Sequence, residues 1–299
     1  MANSSRDINE CDNSTMLSGW FNGLLGVIIF SGSLPATKLA VKEIPPFFLT
    51  FSRASIAGIL AIMMLVFLRE RLPKKSQIVP LVIVSVGVVV GFPLLTAMAL
   101  KYVSSSHSIV FLGLLPLVTA IFGVIRAGES PKPIFWLFSI IGSLLVVGYA
   151  ISKGITATSV GDLLMMASII LCGMGYAEGA KLSKSLGGWQ VISWSLVISL
   201  PFMIAFAYIS KPESIIQIHI SSWLSLGYVS VFSMLIGFIF WYRGLAQGGI
   251  AAVGQLQLLQ PFFGLALSAL LLGEKIDPLI IVITLGVVSC VFGSKKFAK

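Results

Sequence analysis

The chain is 299 residues long, 57% hydrophobic and only 10% charged, with a mean hydropathy of +1.01 and a formal charge of +9. Soluble domains carry about 25% charged residues, so a protein dissolved by its own surface is excluded and an integral membrane protein remains. The basic excess would point to nucleic acid in a soluble chain; here the basic residues fall between apolar runs, where they orient the chain in the bilayer, and no nucleic-acid partner is expected.

The opening stretch, MANSSRDINECDNSTM, is polar and lacks the basic start of a signal peptide. Residues 1–18 therefore read as a cytosolic tail, and the first apolar run as a retained helix. NSS (3–5) and NST (13–15) match the glycosylation pattern, but the topology sets them in the cytosol. A bilayer crossing takes about 20 apolar residues. Ten runs qualify: 20–41, 47–68, 77–99, 104–125, 133–151, 160–181, 188–209, 221–243, 247–272 and 278–294. They are too long and too uniformly apolar for barrel strands, which alternate over about 10 residues.

Helix 1 contains Pro35. A proline removes one backbone hydrogen bond and frees the carbonyl four residues earlier. Pro35, Pro93, Pro116, Pro201 and Pro261 thus free Ser31, Val89, Leu112, Val197 and Gln257. A freed carbonyl must face a cavity or another protein group, or the helix simply kinks in packing. Ser31, Ser33 and Gln257 set polar side chains beside such breaks. Helix 2 carries Arg53 about two turns inside. Buried arginine is costly in lipid, so it attracts an anionic substrate group, fixes packing, or reaches the outer face. Helix 4 opens with SSSHSIVF, where His107 is a proton-relay candidate or a solvated end histidine. Glu178 in helix 6 has Lys181 one turn on. It reads as a proton-coupling carboxylate or as one half of a helix-end salt bridge.

Trp194 and Trp241 sit deeper than the other tryptophans, which read as interfacial anchors. With Tyr176 and Phe111 they would line an aromatic pocket, or serve packing alone. In helix 9, Gln257 and Gln260 share a face at about 100° per residue, with Gln255 turned away. The amide pair serves interhelix hydrogen bonds or a polar substrate. The expected substrate-binding set is Ser31, Ser33, Arg53, Phe111, Tyr176, Trp194, Trp241, Gln257 and Gln260. Small-residue pairs Gly19/Gly23, Gly87/Gly91, Gly175/Gly179 and Gly244/Gly248 permit close helix approach, within a monomer or a weak homodimer. Cys11, Cys172 and Cys290 and the two histidines form no disulfide framework and no metal spacing. No ATP-binding loop occurs, and no cofactor, metal or catalytic residue is expected.

Ten spans place both termini on one side. That side holds 13 Lys and Arg residues, including the RERLPKK loop at 69–75, against 6 on the other. The positive-inside rule puts the termini in the cytosol.

Sliding the sequence by 145 residues brings Pro116 onto Pro261, Gly128-Glu129 onto Gly273-Glu274, Pro133 onto Pro278 and Gly148 onto Gly293. A shift of 143 brings ATKLA (36–40) onto GAKLS (179–183). Five helices per copy is an odd number, so the second copy enters the membrane inverted. The chain reads as a cytosolic tail (1–18), a first five-helix repeat (19–151), an inverted second repeat (152–294) and a basic cytosolic tail (295–299). Inverted repeats with a site near the membrane midplane are a transporter architecture. Glu129 in GESPKP and Glu274 in GEKIDP are expected to cap or latch the two membrane faces.

FSGSLPATKLAVKEIPPFFLTFSRASIAG (30–58) and the paired LLPLVTAIFGVIRAGESPKP and LLQPFFGLALSALLLGEKIDP resemble the drug/metabolite transporter superfamily, in its EamA branch. The resemblance covers nearly the whole chain. It implies an all-α membrane protein of ten helices in two inverted five-helix repeats, with a substrate site among helices 1, 3, 4, 6, 8 and 9. It also implies a secondary transporter of small metabolites, with amino acids or related compounds favoured. The expected role is export or exchange by alternating access across the cytoplasmic membrane, with no enzymatic activity. A solute channel is the nearer alternative. A membrane-embedded transferase lacks the clustered acids and histidines it would need.

Overall fold

Apolar runs of this length fold as helices because lipid offers an open backbone no hydrogen-bond partner. The computed structural model describes residues 2–99, 102, 105–152, 159–212, 218–272 and 278–298, and among the described residues there is no strand. Helix 1 comprises Ala2–Ser31 and Ser33–Ala40, helix 2 Pro46–Phe67 and helix 3 Lys75–Ala99. Helix 4 is Ser105–Ala127, helix 5 Pro133–Ser152 and helix 6 Ser159–Leu186. Helix 7 is Gly188–Ile209 and helix 8 Ile220–Gly248. Helix 9 is built from Ile250–Gly254, Gln255–Leu259 and Gln260–Leu272, and helix 10 is Pro278–Phe297. Helices 1, 2, 3, 6, 7 and 8 are each long and apolar enough to cross a membrane.

Four spans depart from regular α geometry. Helix 1 breaks at Gly32, three residues before Pro35. A Cβ on Gly32 would lie 2.2 Å from the Tyr228 hydroxyl, which donates to the Ile29 carbonyl at 2.9 Å. Helix 3 is π-helical over Ser85–Gly91, immediately before Phe92-Pro93, and this stretch contains the freed carbonyl of Val89. Helix 9 tightens to a 3₁₀ stretch at Gln255–Leu259 before Pro261, containing the freed carbonyl of Gln257. Pro116 and Pro201 leave helices 4 and 7 continuous. Helix 8 is π-helical over Val229–Ile236 with no proline in it. Shifted by 145 residues, that stretch falls on 84–91, the π segment of helix 3.

Helices pair as the repeat requires. Helix 1 packs along helix 8 and helix 3 along helix 6, while helix 2 meets helix 7 and helix 5 meets helix 10. The small-residue pairs act within the bundle. A Cβ on Gly19 would lie 2.4 Å from the Gly248 nitrogen, and one on Gly244 2.5 Å from the Gly23 nitrogen. One on Gly87 would lie 2.5 Å from the Leu171 carbonyl oxygen and 3.2 Å from the Gly175 Cα. Backbones this close gain dispersion contacts that lipid tails cannot match. The end of the bundle bearing the 69–75 loop and the turns after helices 4 and 6 is called the basic end below.

Candidate functional site

Tyr176, buried on helix 6, is the hub of a polar and aromatic cluster at the bundle centre. Its ring stands edge-on to Trp241 of helix 8, centroids 5.5 Å apart, and tilted to Phe238 at 6.1 Å. Phe30 of helix 1 closes the aromatic wall, 4.8 Å from Phe238 and 6.2 Å from Trp241. Tyr176 also interacts electrostatically with Arg53 of helix 2 and lies beside the Gln257 amide of helix 9. Helices 1, 2, 6, 8 and 9 therefore meet at one place.

Arg53 donates from Nη2 to the Met234 sulfur of helix 8 at 3.5 Å, a weak acceptor for a guanidinium. Its Nε is buried with no hydrogen-bond partner. Met234 is in the π segment. Next to it, Ser233 receives a hydrogen bond from Ser33 of helix 1 at 2.7 Å. Ser31 is spent differently: its hydroxyl donates to the Val27 carbonyl of its own helix at 2.7 Å.

The cluster is under-satisfied. Trp241 Nε1 is buried without a partner in the protein, and the buried Gln257 amide has only the Tyr176 hydroxyl beside it. Each such atom costs about 1–3 kcal/mol when nothing meets it. Native cores keep few of them, and here they occur both at this helix junction and elsewhere in the bundle. Phe111 is 8% exposed within the same core, Trp194 is half-buried on helix 7, and Gln260 is half-buried at the start of the last segment of helix 9.

Several buried polar groups escaped the sequence reading. Gln255, set aside as turned away, is fully buried with both amide atoms unpaired. Thr119, Ser139, Ser143 and Ser193 also hold unpaired hydroxyls. Sequence gave no signal for these, because most helical serines return their hydroxyl to their own backbone, as Ser55, Ser183 and Ser230 do here.

The expected Glu178–Lys181 pair does not form. Glu178, its side chain 4% exposed, accepts from Arg126 Nε of helix 4 at 2.8 Å. Lys181 points outward and is exposed. The facing helix offers a cation at the depth of the carboxylate, whereas the i+3 lysine lies toward solvent. The side chain of His107 and the GEKIDP turn with Glu274 lie outside the described residues.

Two other carboxylates join the halves. Glu129 Oε1 accepts from the Ile250 N–H at 2.6 Å and Oε2 from the Ala251 N–H at 2.7 Å, capping helix 9. At the opposite end Glu43, between helices 1 and 2, caps helix 8. Its Oε2 accepts from the His219 N–H at 2.9 Å and the Ser222 hydroxyl at 2.7 Å, and Oε1 contacts His219 Nδ1. The Ser222 hydroxyl, then the His219 N–H, hold the Glu43 carboxyl below its ordinary pKa.

A cavity of about 610 Å³ lies elsewhere, between helices 1, 9 and 10, lined by Leu17, Ser18, Trp20, Phe21, Leu24, Leu256, Leu259, Val288, Val291 and Phe292. Its greasy wall suits lipid tails rather than a polar solute. No group of three or more metal-ligating side chains occurs among the described residues.

Comparison with known proteins agrees with this architecture. The EamA-like transporter family matches residues 17–151 and again 159–294. The uncharacterized transporter YdeK of Bacillus subtilis is 58% identical over 282 residues, covering 94% of this chain and 98% of that one. The S-adenosylmethionine/S-adenosylhomocysteine transporter of Chlamydia muridarum is 27% identical, covering 85% of this chain and 84% of its own. A solved crystal structure superposes with a TM-score of 0.78 at 16% identity, covering 94% of this chain and 98% of the other, which shows the shared fold.

Proposed function

This chain belongs to the EamA-like transporter family, and on that premise we propose that it moves amino acids or their derivatives across the cytoplasmic membrane by alternating access, as an exporter or exchanger. The observation that carries the reading is the meeting of five helices around Tyr176, where Arg53 Nε and Trp241 Nε1 are buried without partners. Arg53 meets a carboxylate, the Gln257 amide and the Trp241 N–H meet neutral polar groups, and the Tyr176 and Trp241 rings hold an apolar portion. Ser33, Phe111, Trp194 and Gln260 border the path, and Ser31 contributes packing rather than a free hydroxyl. Relatives that carry S-adenosylmethionine support substrates with an amino-acid head.

The basic end faces the cytosol, with both termini there, by the excess of Lys and Arg. The two inverted halves expose the central site to one side at a time. Glu178 is engaged by Arg126 and acts as a tie between helices 4 and 6 rather than as a proton carrier. The test is counterflow. Purified protein in liposomes preloaded with an amino-acid panel should show saturable uptake that internal substrate accelerates. Unsaturable flux with no trans-stimulation would leave the channel reading in its place.

A further inference from the structure

We infer that Glu129 is a positioning residue and a releasable latch: it seals the basic end of the transport path and fixes the helix 9 segment that carries Gln257. The inference rests on the transporter reading in calling the movement a gate and the Gln257 amide substrate-facing.

The turn is shaped for this job. Helix 4 ends at Gly128, whose φ of +70° suits a residue without a Cβ. The Gly128 N–H bonds the Val124 carbonyl at 3.1 Å and the Glu129 N–H bonds the Gly123 carbonyl at 3.3 Å, so the helix end is closed on itself. Glu129 is thereby free to reach across to the other repeat. There its two oxygens take the Ile250 and Ala251 N–H groups, which have no partner inside helix 9. A carboxylate at a helix N-terminus also meets the positive end of the helix dipole. Gly249, at φ +91°, turns the chain into this position.

The contacts behind the carboxylate form a seal. Ala251 packs with Ala120 of helix 4 and Phe135 of helix 5, each of the three at most 1% exposed. Ile250 lies against Gly123, where an added Cβ would meet its side chain at 3.1 Å. Beyond this seal comes the 3₁₀ stretch Gln255–Leu259 with Gln257. Ile250–Gly254 is therefore a short lever, held by Glu129 at one end and joined at the other to the substrate-facing amide. Opening the basic end requires helices 4 and 9 to part there, which breaks both Glu129 bonds. Arg126 does not compete for this carboxylate, because Glu178 holds it.

The test reads the seal directly. In the full chain with all three native cysteines changed to Ser, Ala120→Cys places a thiol in the seal, and Ala61→Cys, fully buried in helix 2 away from helices 4 and 9, serves in a second variant as the control. A membrane-impermeant maleimide is applied to inside-out vesicles. Glu129→Gln keeps the shape but leaves one neutral acceptor and turns an NH2 donor onto the other backbone N–H, so labelling at position 120 should quicken on the order of tenfold. The control at position 61 should label at an unchanged rate. No acceleration at position 120 would overturn the inference. Equal acceleration at position 61 would overturn it too, since that pattern is general loosening. The measurement needs no substrate, so a failed counterflow screen leaves its outcome separately readable.

Discussion

The Arg126–Glu178 pair is lopsided, and the asymmetry yields an ordering of variants. Glu178 is 4% exposed and Arg126 40% exposed at the side chain. Arg126→Leu leaves a buried carboxylate with no partner, which costs about 3–5 kcal/mol. Glu178→Gln keeps an acceptor for Arg126, which is also hydrated, so that loss is about 1 kcal/mol. Unfolding entropy of about 2.1 cal/mol/K per residue makes about 0.6 kcal/mol per degree for a chain of this length. Thermal unfolding in detergent should therefore show midpoints lowered by about 5–8 °C for Arg126→Leu and about 2 °C for Glu178→Gln. Transport by Glu178→Gln should keep the wild-type pH profile. The reasoning fails if Glu178→Gln is the more damaging variant. It fails equally if that variant flattens the pH dependence of transport, since the carboxylate would then be carrying protons.

Arg53→Gln should lower uptake efficiency for anionic substrates by about 10–100-fold while sparing neutral ones, the worth of one charge-assisted hydrogen bond; uptake kinetics at matched expression checks it. Glu43 gives an acid-sensitive clamp. Its folded pKa is lowered, so its contribution is present above the unfolded value of about 4.3 and is lost as pH falls through the folded value. The wild-type unfolding midpoint should drop below that pH, and Glu43→Gln should remove this part of the drop. Gly244→Ala should cost about 1–3 kcal/mol by forcing helices 1 and 8 apart, because its Cβ would lie 2.5 Å from the Gly23 nitrogen. Gly148→Ala in helix 5 meets nothing within 4 Å and should stabilise by about 0.4–1 kcal/mol, read in the same thermal assay.

Helix number was legible because apolar run length is a direct demand of the bilayer. The repeat was legible because prolines and glycines keep their spacing when apolar residues interchange freely. Proline also announced the irregular segments of helices 1, 3 and 9. Pro116 and Pro201, in contrast, lie within helices 4 and 7 that stay α-helical. The π stretch of helix 8 has no local cause in its sequence, so tertiary packing sets it. Arg53 stood out by its cost in lipid, but its partner, a thioether on another helix, is a product of the fold. Glu178 shows the limit of reading along one helix: the i+3 lysine was visible, and the arginine that takes the carboxylate comes from a helix 52 positions away.

The matched π segments of helices 3 and 8 also carry a history. Each arises from a one-residue register change that no proline enforces in helix 8, and they coincide at the offset of 145 that aligns the halves. Two independent insertions at the same place are a less economical origin than one ancestral insertion copied by duplication. Arg53 in helix 2, and the 3₁₀ stretch present in helix 9 but not in helix 4, mark where the two halves have diverged.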